Sequence, residues 1–321
     1  MASYNTIKVL VVKYLSADPA NPEDGQVWYN STTGNLRVEG MVLAGSWASG
    51  GAVGTARTTA SAGTQTANVI FGGQMNNPPY APLANVEEYN GSSWTAVTAL
   101  PVAGGNLSGT GTQTAALSFG GYLDISVTNE YDGTNWTAGG NLNTARELLS
   151  QNIGTQTAAM GAGGLVRSPE APTLNSETYN GTAWSEGNNL NTGRYGIAGA
   201  GTTSAALAAG GHPSTAVSEE YDGTSWSNVT SRPYAASSAM SSGIQTAALI
   251  YGGNPGGAVT TTVSYDGTNW SAESAMASGR SMGGGSAAGT SGSALASTGY
   301  SGTGTEEFTG AGTQIKNITT S

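Results

Sequence analysis

The chain has no cysteine and one histidine, His212. That excludes a disulfide framework, thiolate metal sites and histidine-rich metal sites, so no metal and no cofactor are expected. Charge is scarce: Asp, Glu, Lys and Arg make up 9% of the residues, against about 25% in an average soluble protein. What charge there is leans acidic, with a net charge of −10. This disfavours nucleic acids and anionic membrane surfaces, which need basic patches. No apolar run approaches the ~20 residues of a membrane span. The opening Met1-Ala2-Ser3-Tyr4-Asn5 lacks a basic stretch ahead of an apolar core, and Lys8 and Lys13 interrupt Ile7–Leu15, so it does not read as a signal peptide. No Gly-x-Ser-x-Gly elbow, phosphate loop or dinucleotide fingerprint stands in a strand–turn–helix setting.

Against these absences stands a repeat. Trp47, Trp94, Trp136, Trp184, Trp226 and Trp270 recur at spacings of 47, 42, 48, 42 and 44 residues. Around each lies the same order of features: an Arg-preceded small-residue stretch, a Gly-Thr-Gln-Thr-like turn, an apolar run ending in Gly-Gly, a loop of variable length, Glu-x-Tyr, Asn-Gly or Asp-Gly, then Trp. The runs Thr66–Phe71, Thr114–Phe119, Ser204–Ala208 and Thr246–Tyr251 read as buried strands. Asn-Gly and Asp-Gly between the Tyr and Trp strands are hairpin signals. Each repeat is therefore expected to be a four-stranded meander, strands a to d, and a period in the forties implies a β-propeller.

The last copy is degenerate: Gly299-Tyr300 replaces Gly-Gly, Phe308 replaces Tyr, and no Trp follows. The Trp47 segment, residues 44–51, aligns with residues 132–139 and supplies that missing strand beside Thr305–Phe308. Gln314–Thr320 is the alternative partner. Three parts follow: residues 1–43, an N-terminal β anchor with a hairpin at Gln26–Val38; residues 44–310, the propeller; and residues 311–321, a polar tail.

The order of apolar strand, Gly-Gly, variable loop, Glu-Glu-Tyr, turn and Trp resembles the kelch repeat over about residues 44–310. The chain is similar to kelch-like propellers of bacteriophage and environmental viral structural proteins. The segment Asp24-Gly25-Gln26-Val27-Trp28-Tyr29-Asn30 through Val38 is similar to a hairpin signature of tail-fibre and virion appendage proteins. The resemblance implies an all-β, six-bladed kelch-like β-propeller with a short N-terminal β-hairpin segment. It implies a virion structural protein, a phage tail fibre or appendage, assembled in the host cytoplasm. Such a subunit would join other virion proteins through its N-terminal segment, form a homo-oligomer on the particle and bind a host surface glycan, without nucleic acid or membrane insertion. A decoration protein without receptor binding is the alternative, followed by a carbohydrate-active depolymerase.

Strand alternation places the b–c loops on one face. They differ in length and chemistry between repeats, and variable loops on a rigid scaffold carry specificity. The candidate binding residues are Asn76, Asn77, Tyr80, Tyr122, Asp124, Arg167, Glu170, His212, Asn254 and Tyr300. Amide and aromatic groups suit hydrogen bonding and stacking with a sugar. Arg57, Arg146, Arg194, Arg232 and Arg280 recur before strand a. They would either ring a channel mouth and attract an anionic glycan, or pair with a strand-c Glu; recurrence with the fold motif favours the second. The strand-c carboxylates could in principle form a glycosidase pair. Adjacent residues of a strand point to opposite faces, so Glu87 and Glu88 do not serve one bond, and no enzyme activity is expected. The repeated Tyr and Trp read as core.

Overall fold

The computed structural model describes residues 12–20, 26–41, 45–75, 81–123, 125–300, 302–311 and 313–317. These contain strands, turns and no helix. They divide into two compact units, Ser46–Thr309 and the flanking residues on both sides of it.

The flanking unit is one sheet. Lys13–Leu15 runs parallel to Val27–Asn30, which forms a hairpin with Asn35–Met41. Thr313–Asn317 adds antiparallel to the latter, so the polar tail contributes an edge strand here and not beside Thr305. Asp18 accepts hydrogen bonds from Asn30 Nδ2 (2.8 Å) and Trp28 Nε1 (3.0 Å) and pairs with Arg37. The Asn30 and Trp28 bonds hold its carboxyl below the usual value of 3.8, helped by the Arg37 charge. A lowered carboxylate stabilises the fold in full above the ordinary value, and that contribution is lost as pH falls through the lowered one. Acidifying from pH 4 downward should therefore shift the Trp28 indole N–H resonance with loss of this sheet, and Asp18→Asn should flatten that pH dependence.

In Ser46–Thr309 the repeat becomes six antiparallel sheets. Sheet 1 is Thr58–Gly63, Asn68–Gln74, Val86–Tyr89 and Trp94–Ala96; sheet 2 is Ser108–Thr112, Ala115–Phe119, Thr128–Tyr131 and Trp136–Ala138. Sheet 3 is Gly154–Thr155, Ala158–Ala162, Ser176–Tyr179 and Trp184–Glu186; sheet 4 is Ala198–Thr202, Ala205–Ala209, Ser218–Tyr221 and Trp226–Val229. Sheet 5 is Met240–Ile244, Ala247–Tyr251, Thr262–Tyr265 and Trp270–Glu273. Sheet 6 has three strands: Ser293–Ser297, Thr305–Thr309 and, from the other end of the chain, Ser46–Gly50, with Phe308 opposite Trp47. Its expected strand a is missing. Gly283-Gly284-Gly285 occupies the place, with one bridge from Gly284 to Ser297, and a run of glycines is a poor strand former.

The c–d turns also differ from a two-residue hairpin. Tyr89 pairs with Trp94 and Tyr131 with Trp136, leaving four residues between them. The Asp132 carboxylate accepts from the N–H groups of Thr134 (2.8 Å) and Asn135 (2.7 Å), and only Gly133 takes positive φ. The Asx side chain thus closes the turn with its own carboxylate.

Two kinds of inter-sheet link recur in most of the repeats. The a–b glutamine reaches two carbonyls of the preceding sheet: Gln113 to Asn68 O and Tyr89 O, Gln156 to Ala116 O and Tyr131 O, Gln245 to Ala206 O and Tyr221 O. The strand-c Tyr hydroxyl donates to a neighbouring Glu: Tyr131 to Glu88, Tyr179 to Glu130, Tyr265 to Glu220, and Tyr89 of sheet 1 to Glu307 of sheet 6 (2.5 Å). Burial, then the accepting carboxylate, push the Tyr89 and Tyr179 hydroxyls up to about 12, so they stay donors.

A backbone relay crosses the sheets. Thr59 N donates to Met282 O, Met282 N to Ser238 O, Ser238 N to Gly196 O, Gly196 N to Leu148 O and Leu148 N to Asn106 O, at 2.7–3.2 Å. All but Thr59 have φ between 52° and 61°. For side chains this left-handed conformation is strained; the hydrogen bonds offset it.

The recurring arginines are interior. Arg57 pairs with Glu87 (2.6 Å), and Arg146 with Glu177, Arg194 with Glu219 and Arg280 with Glu306 (3.0 Å each), all nearly or fully buried. Burial pulls Arg194 down to about 10 while Glu219 pulls the other way. These residues therefore cannot ring an open mouth. Arg232 breaks the series. The carbonyls of Arg146, Arg194, Ala236 and Arg280 each accept from the second Gly of a Gly-Gly pair, so Ala236 holds the arginine position in sheet 5. There Tyr234 OH donates to Gly252 O (2.9 Å), and Val263 stands where the partner Glu would be. In sheet 2, Gly104 and Asn129 replace the pair and line a cavity of about 30 Å³.

Candidate functional site

On the b–c loop face lies a funnel of about 300 Å³ lined by Thr58, Gln74, Met75, Asn106, Tyr122, Arg167, Met282 and Tyr300. Gln74 ends strand b of sheet 1, its N–H donating to Thr58 Oγ1 (3.1 Å). Asn106 and Met282 are positioned by the backbone relay. Tyr122 follows Gly120-Gly121 and is pinned by its N–H to Gly105 O (2.8 Å). Arg167 ends the first strand of a small hairpin, Leu165–Arg167 with Glu170–Pro172, and stands opposite Glu170.

One wall is a polar stack. The Arg167 guanidinium lies 4.8 Å over the Tyr122 ring. Its Nη2 meets Glu147 Oε1 at 2.5 Å, and Asn106 Nδ2 donates to Glu147 Oε2 (3.2 Å). Glu147 is fully buried and is fixed by two backbone bonds with Leu165. Burial would lower the Arg167 pKa, but the Glu147 hydrogen bond and charge outweigh it and raise it. Tyr300, 53% exposed, also lines the funnel. Arg167 and Glu147 balance each other and Glu170 lies exposed beside them, so the wall carries no excess positive charge.

Of the candidates named from sequence, the structure brings Tyr122, Arg167 and Tyr300 into the funnel. Glu170 lies beside them on the hairpin. His212 is exposed with its ring 4.7 Å from Tyr195, and burial, then the Glu170 charge, raise the Tyr195 pKa. Asn254 does not line the funnel; its side chain accepts from Gly256 N (2.9 Å) within its own turn. Asn76, Asn77, Tyr80 and Asp124 lie outside the described residues. Sequence reasoning missed Glu147, Asn106, Gln74, Met282 and Tyr195. Glu147 occurs in one repeat only, and the relay positions share a backbone shape but no residue type.

Among the described residues, no three His, Cys, Asp or Glu side chains gather to hold a metal ion. No protein-family model matches this chain, and no curated protein matches it either.

Proposed function

We propose that the six sheets are blades of a closed, kelch-like six-bladed β-propeller, and that the chain is a virion structural protein, a tail-fibre or appendage subunit, that binds a host surface glycan in the Tyr122–Arg167–Tyr300 funnel. Closure is supported by the relay from Thr59 back to Asn106 and by the Tyr89–Glu307 bond. The observation that carries the binding reading is the funnel's chemistry: an exposed tyrosine, amide side chains and a charge-balanced Arg–Glu pair line one concave site. Sugar C–H faces stack on such rings, and hydroxyls pair with amides. The balanced charge favours a neutral glycan over an anionic one. Glu147 is tied to Arg167 and Asn106, which suits a binder better than a hydrolase needing a free carboxylate pair. Modest single-site affinity is multiplied when several copies sit on one particle, joined through the N-terminal unit.

The test is a glycan array probed with multivalently displayed protein. Tyr300→Ala and Tyr122→Ala should each weaken binding several-fold, up to about ten-fold, as losing an aromatic contact of about 0.5–1.5 kcal/mol requires. Absence of any glycan binding by the folded, multivalent protein would discard the receptor reading in favour of a decoration role.

A further inference from the structure

The junction between sheets 3 and 4, at the turn end of the strands away from the funnel, lacks links that its counterparts have. Thr203 stands where four of the other five a–b turns carry Gln65, Gln113, Gln156 and Gln245; the degenerate turn of sheet 6 has Ser291. In sheets 1, 2 and 4 two carbonyls are capped by such a glutamine. Their equivalents here, on the cross-strand pair Ala159 and Tyr179, receive no side chain among the described residues. The second link is gone too. Thr178 replaces the Glu that accepts from the neighbouring tyrosine, and Tyr221 is the one strand-c tyrosine without a carboxylate. Farther along the same junction, toward the b–c loops, Trp226 Nε1 is buried without a partner, while Trp47, Trp94, Trp136, Trp184 and Trp270 all donate. Apolar packing of Ile153, Met160, Ile197 and Trp226 still holds the two sheets together. The result is a standing cleft of about 450 Å³ lined by Thr178, Tyr179, Asn180, Thr203, Tyr221 and Gly223, among others.

We propose that this cleft binds a primary carboxamide, the glutamine side chain of a protein partner, in the place left by the missing glutamine of this repeat. The argument is one of hydrogen-bond count. Two backbone carbonyls converge where Gln113 Nε2 sits in the equivalent junction, at 3.0 and 2.7 Å from its acceptors. A primary amide nitrogen offers two N–H groups to match them without bringing in a charge. A secondary amide offers only one, and a carboxylate offers none. A free small amide has too few atoms for tight binding, so the group is expected on a larger chain.

The experiment is an NMR titration of the 321-residue chain with propionamide, alongside N-methylpropionamide and propionate. Propionamide alone should give saturable amide shifts at Tyr179, Thr203 and Gly223 in the millimolar range. Thr203→Gln, which places the chain's own carboxamide in the cleft, should abolish those shifts and raise Tm by about 2–4 °C. Equal responses to all three probes, no saturable response, or a propionamide response that survives in Thr203→Gln would each overturn the proposal. Should Thr203→Gln fail to fold, the three-probe comparison on the unaltered protein still decides.

Discussion

Glu219→Ala should destabilise the protein by about 3–5 kcal/mol, the cost of leaving a buried charge without its partner. Glu219 Oε1 holds Arg194 Nη2 at 3.0 Å, and Oε2 accepts from the Asn191 N–H (2.7 Å) and side-chain amide (2.9 Å). Arg194 itself also donates to the carbonyls of Gly210, Val217 and Ala208. Removing the carboxylate strands a guanidinium with no solvent exposure and uncaps the turn before it. The neighbouring Glu220 is the control: it is half-buried and makes one bond, from Tyr265 OH (2.9 Å). Glu220→Ala should cost about 1 kcal/mol. Urea unfolding with an unchanged m-value separates the two. The Arg194→Met, Glu219→Ala double variant should fall short of the summed losses by at least about 1 kcal/mol, because the pair is coupled. Equal midpoints for the Glu219 and Glu220 variants would refute the structural role given to the buried pairs.

Gly73→Ala should be more damaging still. Gly73 has φ of +99°, and a Cβ there would lie 1.6 Å from the Thr58 carbonyl oxygen. Both partners are backbone in one sheet, so neither yields without breaking the a–b pairing beside Thr58 and Gln74 in the funnel wall. We expect a loss above about 4 kcal/mol, in the range reserved for a specific steric or strain mechanism, or no soluble protein at all. Gly257→Ala is the matched control. Nothing lies within 4 Å of its Cβ position and its φ carries no penalty, so its stability should stay within about 0.5 kcal/mol of the unaltered chain. A soluble Gly73→Ala protein with an unaltered midpoint would contradict the strand geometry described above.

The sheets were legible because their determinants are side chains that repeat. The expected strand at Thr114–Phe119 is found at Ala115–Phe119, and the Trp47 segment pairs with Thr305–Thr309 as its alignment implies. The Arg–Glu pairing was legible for the same reason. Its exception was not: Arg232 lies four residues ahead of the true position, and only backbone hydrogen bonds reveal that Ala236 occupies it. The c–d hairpin was legible from Asn-Gly and Asp-Gly, but not its closure by the Asx side chain. At the funnel, Tyr122, Arg167 and Tyr300 were found because loop variability marks them. Asn106 and Met282 were not, since their place is set by a relay of main-chain groups indifferent to side-chain identity. Glu147, present once, leaves no periodic trace.

The origin of sheet 6 has a bearing on synthesis. Ser46–Gly50 leaves the ribosome well before Thr305–Thr309, its strand partner among the described residues, which is among the last of the unit to be made. At roughly 5–20 residues per second, a gap of roughly 260 residues keeps that strand waiting about 13–50 s with its hydrogen-bonding edge unmatched. A ribosome that stops short of Thr305 releases a chain in which Ser46–Gly50 and Ser293–Ser297 both lack the strand that joins them. Closing sheet 6 therefore depends on the chain being made through to residue 309.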